Sequence, residues 1–504
     1  MVRKYLLCIA FFAFSISTSL AQEGPSLGEI ARKLKSQRSD VPAQATTVPS
    51  PTPDKASSPA QPSASSANIP VAAPSPAVEE AITPDLNADV ATDVHGLEKY
   101  EAAIRQMLYQ QKFQEIDRLA ADARATKVRF TGGYWKVHMI YRAIEGPLDG
   151  IKAAETEWTR QIALLEKWKD QYPTSITPRI ALAEAYSDYG WKARGGSYAD
   201  NVTENGWQLL AERAHKGHAI LEEADKLQEK CPEWFAAMIQ IARSEDWETA
   251  PFNALVQKAI AFEPDYYYYY RMMADSLLPK WGGAEGDSAR FAEAVADRIG
   301  GKKGDVTYFQ IATTLVCACN NQAGLNGMSW PRIKNGYLAL QEIYGDTISH
   351  KNEIALMAFR AGDFDYSTGI FDQIGDQWDK DVWLTHDSFK NFKYQAEIPR
   401  IKRSMAEAKE NAQTSEGQVF NNMLGAEIEK QYHQKLLDCL KNQPDYKFPA
   451  VVMLMQLSKT GSVRDVIFAG KDGPGACFRP QLEKAALPVP PKPDYWVMVH
   501  MSAQ

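Results

Sequence analysis

Residues 252–277 read FNALVQKAIAFEPDYYYYYRMMADSL. Pro264 and Asp265 divide this stretch into two helical segments. Phe252, Val256 and Ala259 recur at helical spacing in the first, and Tyr270, Met273, Ala274 and Leu277 in the second. Small residues such as Ala259 and Ala274 let two helices approach, and the large ones fill the gap to the next pair. Five consecutive helical residues cover more than one full turn, so Tyr266 to Tyr270 cannot share a face. The spacing predicts Asp265 as an N-cap. It makes Tyr270 the packing residue between helices, with Tyr266 or Tyr267 one turn before it on the same side. Tyr268 aligns with Arg271 and Asp275 at i, i+3, i+7, a candidate binding stripe. The tyrosine run is therefore read as a buried wedge with one exposed tyrosine, Tyr268.

Outward from this pair the same grammar repeats. Helical periodicity is predicted over Leu97–Leu119, Ile151–Gln171, Pro178–Lys192, Trp207–Gln228, Trp234–Arg243, Pro251–Phe262, Asp265–Leu278 and Asn352–Ile374. Leu182, Ala183 and Tyr186 followed by Gly190 form a first-helix pattern. Ile354, Ala355, Ala358, Gly362, Ser367 and Phe371 give a loose match around the turn AGDFD. This degenerate repeat resembles the tetratricopeptide family, in which paired helices stack into a solenoid. The stretches GGYWKVHMIYRAIEGP (132–147), WKARGGSYAD (191–200), CPEWFAAM (231–238), FEPDYYYYY (262–270) and LLPKWGGAEGD (277–287) resemble a related helical domain of unknown function from secreted bacterial proteins. The resemblance implies a mainly α fold, a tetratricopeptide-like α-solenoid over residues 94–420, and no established activity. In tetratricopeptide proteins the stripe that holds Tyr268, Arg271 and Asp275 faces the concave groove.

The N-terminus reads MVRKYLLCIAFFAFSISTSLAQ. Charged Arg3 and Lys4, an apolar run from Tyr5 to Phe14, and Ser19-Leu20-Ala21 at cleavage-site spacing predict a signal peptide over residues 1–21. The alternative, an uncleaved anchor, requires spanning a bilayer with a run shorter than the usual ~20 residues. Residues 22–93 hold an amphipathic segment, GPSLGEIARKLKS at 24–36, and a Pro/Ala/Ser-rich linker. The linker cannot bury enough apolar surface to offset its ordering entropy.

Residues 421–504 change character. A helix over Ile428–Leu440, strands over Ala450–Leu457 and Ser462–Ala469, a helix over Ala476–Leu487 and a last strand over Tyr495–Ser502 predict a small α+β unit with an antiparallel sheet. LSKTGSVRDVIF, CFRPQLEKAAL and PPKPDYWVMVHM resemble the C-terminal domain of TonB-type energy transducers. That resemblance implies an envelope interaction module able to pair an edge strand with a partner peptide. Cys439 sits on the helix before the hairpin and Cys477 begins the helix after it, which predicts a disulfide between them. Two unrelated buried thiols are the alternative. Cleavage of the signal would leave Cys231, Cys317, Cys319, Cys439 and Cys477, an odd number, so at least one thiol is free or pairs between molecules.

The chemistry is sparse. A net charge of −7 over 504 residues without a basic block disfavours nucleic acid as a partner. His215 and His218 stand at i, i+3, but no third ligand completes a metal site. GGAEGD at 282–287 lacks the Lys-Ser/Thr of a phosphate loop, and no G-x-S-x-G or H-E-x-x-H occurs. No catalytic residue, cofactor or metal is assigned. WKARGGSY and PKWGGAE each place tryptophan, cation and glycine at a helix end. Trp191, Lys192, Arg194, Lys280 and Trp281 are therefore a second candidate pocket, suited to anionic peptide ends or sugars. The competing reading packs the tryptophans between repeats and leaves the cations to cap helix C-termini.

Taken together, the chain reads as an exported, non-enzymatic scaffold of the periplasm or envelope of a Gram-negative bacterium. It would take a protein or peptide partner through the groove and the terminal sheet, and meet the membrane only if the N-terminus stays uncleaved. The rivals are a TonB-type transport component anchored by that N-terminus, and a glycan-binding or cell-wall enzyme, suggested by 12 Trp and 22 Tyr.

Overall fold

The chain from Gly96 to Leu315 alternates apolar helix faces with short turns, and each face finds its neighbour. The helices are α1 (Gly96–Tyr109), α2 (Phe113–Thr126), α3 (Lys136–Ile144), α4 (Glu155–Gln171), α5 (Thr177–Arg194), α6 (Glu204–Asp225), α7 (Pro232–Ser244), α8 (Thr249–Phe262), α9 (Tyr268–Ser276), α10 (Asp287–Ile299) and α11 (Gly301–Leu315). They continue with α12 (Trp330–Tyr344), α13 (Ile348–Ala361), α14 (Phe364–Ile374), the one-turn α15 (Lys380–Trp383), α16 (His386–Gln413) and α17 (Ser415–Lys441). This is a computed structural model; it describes residues 89–501 except 92, 197–200, 282, 317–324, 442–450, 470–474 and 483. The predicted signal peptide, amphipathic segment and linker, and Cys317 and Cys319, lie outside the described residues.

The stretch Leu97–Leu119, read as one helical segment, is broken in two at Gln111, whose φ of 59° is left-handed and cannot continue a helix. Asn352–Ile374 divides at the turn expected at AGDFD: Gly362, with a φ of 79°, closes α13, and Asp363 then caps α14 by accepting the Tyr366 N–H. Asp265 does not cap a helix. The chain makes a turn first, with Tyr266 N–H bonded to Glu263 O, and α9 begins only at Tyr268. The Asp265 carboxylate instead faces Lys303 at 3.1 Å.

Consecutive helices pack on one another, and second neighbours such as α5 with α7 and α9 with α11 also touch. The spacing residues named from sequence are interior: Ala183, Ala259, Ala274, Ala355 and Phe371 are fully buried. Backbones approach closely where α11 crosses α12. A Cβ added to Gly336 would lie 2.1 Å from the Asp305 carbonyl oxygen. One apolar core runs from Ala91 to Ala396. The array also closes on itself. Arg129 donates to the Tyr344 hydroxyl, the Tyr134 ring stacks on His350 at 5.0 Å, and Lys380 pairs with Glu98 at 2.7 Å.

The C-terminal region holds a three-stranded antiparallel sheet: β1 (Val451–Leu457), β2 (Val463–Ala469) and β3 (Tyr495–Met501), in the order β2-β1-β3. The two-residue alternation buries both faces. Met453, Met455, Val466, Tyr495 and Val497 face Phe420 and Leu424 of α17, and Phe478 and Leu482 of α18 (Gly475–Leu482). Leu454, Ile467 and Trp496 face Ile401 and Ala408 of α16. The 420/421 boundary read from sequence falls inside α17. Cys439 and Cys477 are joined by a disulfide with Cα atoms 5.7 Å apart. α18 stops at Leu482, where Ala485 N–H turns back to the Leu482 carbonyl, so the predicted extension to Leu487 is not helical. Among the described residues no helix is long and apolar enough to cross a membrane.

Candidate functional site

A cavity of about 420 Å³ opens within the helical array. Its walls come from alternate helices: α3 supplies His138 and Arg142, with Glu145 just beyond its end; α5 supplies Glu184, Ser187 and Asp188; α7 supplies Glu233, Gln240 and Arg243; α9 supplies Tyr268, Arg271 and Asp275; α11 supplies Thr314. Their intervening partners, α4, α6, α8 and α10, pack outside.

The cavity has two chemically distinct sides. Glu184 and Asp188 stand one turn apart on α5, and Glu184 lies within hydrogen-bonding reach of Glu145. Neighbouring buried carboxyls disfavour one another's charged forms. Burial pushes the Glu145 carboxyl up, the Glu184 carboxyl well up and the Asp188 carboxyl up to about 8. Glu233 is buried and likewise raised to about 8 by desolvation. It sits 2.8 Å from His138 Nδ1 and accepts from the Tyr266 hydroxyl. Burial drives His138 down to about 3, so the ring is neutral and this contact is a hydrogen bond between groups sharing one proton.

The same lining carries cations, and Arg142 acts on Glu145 from its own helix. Arg243 pairs with Asp275 at 3.3 Å, and Arg142 lies 3.6 Å from Glu101. Arg271 donates to Thr314 Oγ1 and lies 6.0 Å from the ring centres of Tyr267 and Tyr268. Near it are Glu353 and His350 of α13. Burial raises Glu353 to about 8, against the pull of Arg271, and lowers His350 to about 4. His350 Nε2 lies 3.9 Å from Glu353 Oε2, too far for a hydrogen bond.

The structure brings Tyr268, Arg271 and Asp275 to this one cavity, with a correction. Tyr268 is not exposed; only 7% of its surface is accessible. Its ring is held against His138, centroids 3.6 Å apart, and against Tyr267 at 4.1 Å. The other four tyrosines are buried as well. Tyr269 donates to Pro232 O and Tyr270 to Pro264 O, each at 3.0 Å, so their hydroxyls are satisfied inside. The wedge takes all five because Tyr266 and Tyr267 occupy a turn instead of the helix, which frees them from helical face geometry.

The second candidate group is only partly assembled. Trp191 and Trp281 meet edge to face at 5.7 Å, and both Arg194 and Lys280 lie over a tryptophan. Lys192 points elsewhere, to Glu155 at 3.5 Å and the Ile151 carbonyl at 3.3 Å. Asp275 joins the two sites: it accepts from Trp281 Nε1 at 3.1 Å and pairs with Lys280 at 3.2 Å. His218 and His215 both face Glu245, and among the described residues no group of His, Cys, Asp or Glu is arranged to hold a metal.

Compared with protein-family models, curated proteins and solved structures, the chain matches none. The site therefore rests on its own geometry. Sequence reasoning missed its acidic side. The signal was present: Glu184, Ser187 and Asp188 interrupt the Ala/Leu-rich helix IALAEAYSDYG at i, i+3, i+4, between the packing positions Leu182, Ala183 and Tyr186. A polar stripe at that spacing is a second face, aimed at something other than a neighbouring helix.

Proposed function

We propose that the chain is an exported, non-enzymatic interaction protein of the cell envelope. In this reading residues 94–420 form a tetratricopeptide-like solenoid that binds a peptide in the central cavity. One observation carries it: helices α3, α5, α7, α9 and α11, every second element, line a single cavity. Helix-pair repeats present one helix of each pair to their inner face, and that face is where they bind. The cavity's volume of about 420 Å³ suits a peptide end better than a long helix.

The terminal sheet is proposed as a TonB-like pairing module. β2 and β3 are each hydrogen-bonded to β1 on one side only, so each has an outer edge for strand addition. Asn411 of α16 already donates to the Trp496 carbonyl at 2.8 Å, which favours β2 as the receiving edge.

Display of random peptides against the full chain tests the cavity reading. Selected peptides should bind the wild type and lose tenfold or more in affinity on Arg271→Gln, with the circular dichroism spectrum unchanged. Peptides that bind both proteins equally, or a folded protein that selects none, would overturn it.

A further inference from the structure

The cavity's unmatched groups say more about the ligand than its size does. Arg243 and Asp275 satisfy each other, Arg142 has Glu101, and Glu233 has His138 and Tyr266. Two sets remain. On the α5 side, Glu184 Oε2 and the Ser187 hydroxyl have no hydrogen-bond partner, and Ser187 is 2% exposed. With Glu145 and Asp188 they form a wall of acceptors; Arg142 lies near Glu145 but pairs with Glu101, and among the described residues none of these three carboxylates forms an ion pair. On the α9 side, Arg271 has a hydroxyl partner in Thr314 but no carboxylate within ion-pair distance among the described residues.

Resting on the peptide-binding reading above, we propose that the cavity binds a small zwitterion, a free α-amino acid or short peptide. Its ammonium enters among Glu145, Glu184 and Asp188, and its carboxylate meets Arg271. An ammonium brings three donors to a wall of acceptors, and a carboxylate brings two acceptors to a guanidinium fork that can hold both. Each alternative leaves one side wanting. A simple anion would sit beside three carboxyls. A polyamine would place positive charge against Arg271. A neutral sugar would hydrogen-bond both walls yet leave Arg271 without a counter-charge. The volume of about 420 Å³ lies within the range of small-ligand pockets, ~300–1,000 Å³. Burial of the lining groups strengthens both contacts, because charges held away from bulk water are less screened. The raised carboxyls fit the same picture: without a cation to face, the acidic wall keeps protons, and an arriving ammonium displaces them.

Isothermal titration of the full chain with L-alanine, Ala-Ala and Ala-Ala-Ala tests this and ranks ligand length. The tightest of these is then compared with its N-acetyl and C-amide forms. Each cap should weaken binding at least tenfold. The effects should also be assigned to the two walls. Glu184→Gln should weaken the uncapped ligand while leaving the N-acetyl form unchanged, and Arg271→Gln should weaken the free acid while leaving the amide unchanged. A merely structural role would move capped and uncapped ligands together. If either variant fails to fold, the capped series on the wild type decides alone. Caps without effect overturn the zwitterion, as does the absence of heat with all three probes. Peptides selected by display that still bind in those cases would show that peptide capture survives and only the ligand class is wrong.

Discussion

Replacing Glu353 by Gln should stabilise the protein in a pH-dependent way. The carboxyl is raised from the ordinary value near 4.5 to about 8, chiefly because burial penalises its charged form, while Arg271 partly offsets the penalty. Between those two pH values the folded chain holds a proton that the unfolded chain has released. Stability must therefore fall as pH rises from about 4.5 to about 8, and change no further from this group outside that window. Linkage sets a ceiling of about 5 kcal/mol on the loss. The side chain is 22% accessible, and water reaching it reduces the expected effect to about 2–3 kcal/mol. Gln matches the protonated acid in shape, and Glu353 Oε2 has no hydrogen bond to lose. Wild type and Glu353→Gln should thus melt together at pH 4.5, separate steadily up to about pH 8 and keep a constant gap above it, the variant being the more stable. Differential scanning calorimetry across this range measures the gap. A constant gap, or one that widens toward acid, would refute a raised Glu353.

Four further outcomes are expected. Affinity for Ala-Ala should rise from pH 6 to about 8 with release of protons, since an ammonium stabilises the ionised form of Asp188, raised to about 8, and of Glu184; titration in buffers of different ionisation heat would show it. Replacing both Cys439 and Cys477 by Ser should cost the sheet region about 4 kcal/mol, because their 38-residue separation sets the loop whose closure entropy is lost; hydrogen exchange on β1 reads this directly. Tyr269→Ala should cost about 3–5 kcal/mol and Tyr269→Phe only about 1 kcal/mol, separating ring packing from the hydroxyl bond to Pro232. Gly336→Ala should destabilise by roughly 1–3 kcal/mol or more, since α11 and α12 must move apart to admit a methyl group, and denaturant titration would measure the loss.

Helix type and the small C-terminal sheet were legible because they rest on periodicity. Ala259, Ala274, Met273 and Leu277 mark faces that any apolar neighbour would bury, and the short apolar runs VVMLMQL and YWVMVHM mark strands, whose burial on both sides only the structure shows. Breaks were harder. Nothing in the pattern LYQQKF announces that Gln111 takes a left-handed conformation, since the residue is neither Gly nor Asn. The Tyr268–Arg271–Asp275 stripe was legible as one side of a groove because it lies on one helix. Its partners were not. Glu145, Glu184 and Glu233 come from three places in the chain, and only the way the helices assemble joins them. Asp265 misled because a cap residue and a surface ion-pair residue look alike in sequence; Lys303, 38 positions later, decides between them.

The helical core and the sheet share one long helix. α16 is 28 residues long, so it extends about 42 Å. Its first half, with Phe389 and Ala396, lies in the helical core, and its second half, with Ile401 and Ala408, lies against the sheet. At the junction Arg400 grips Asp465 of β2, while Arg403, one turn on, reaches back to Asp365 of α14. Pro399 stands at this seam and gives up one backbone hydrogen bond of the helix. A pull on the edge of β2 would therefore travel along a single helix axis into the array, with one built-in point of compliance.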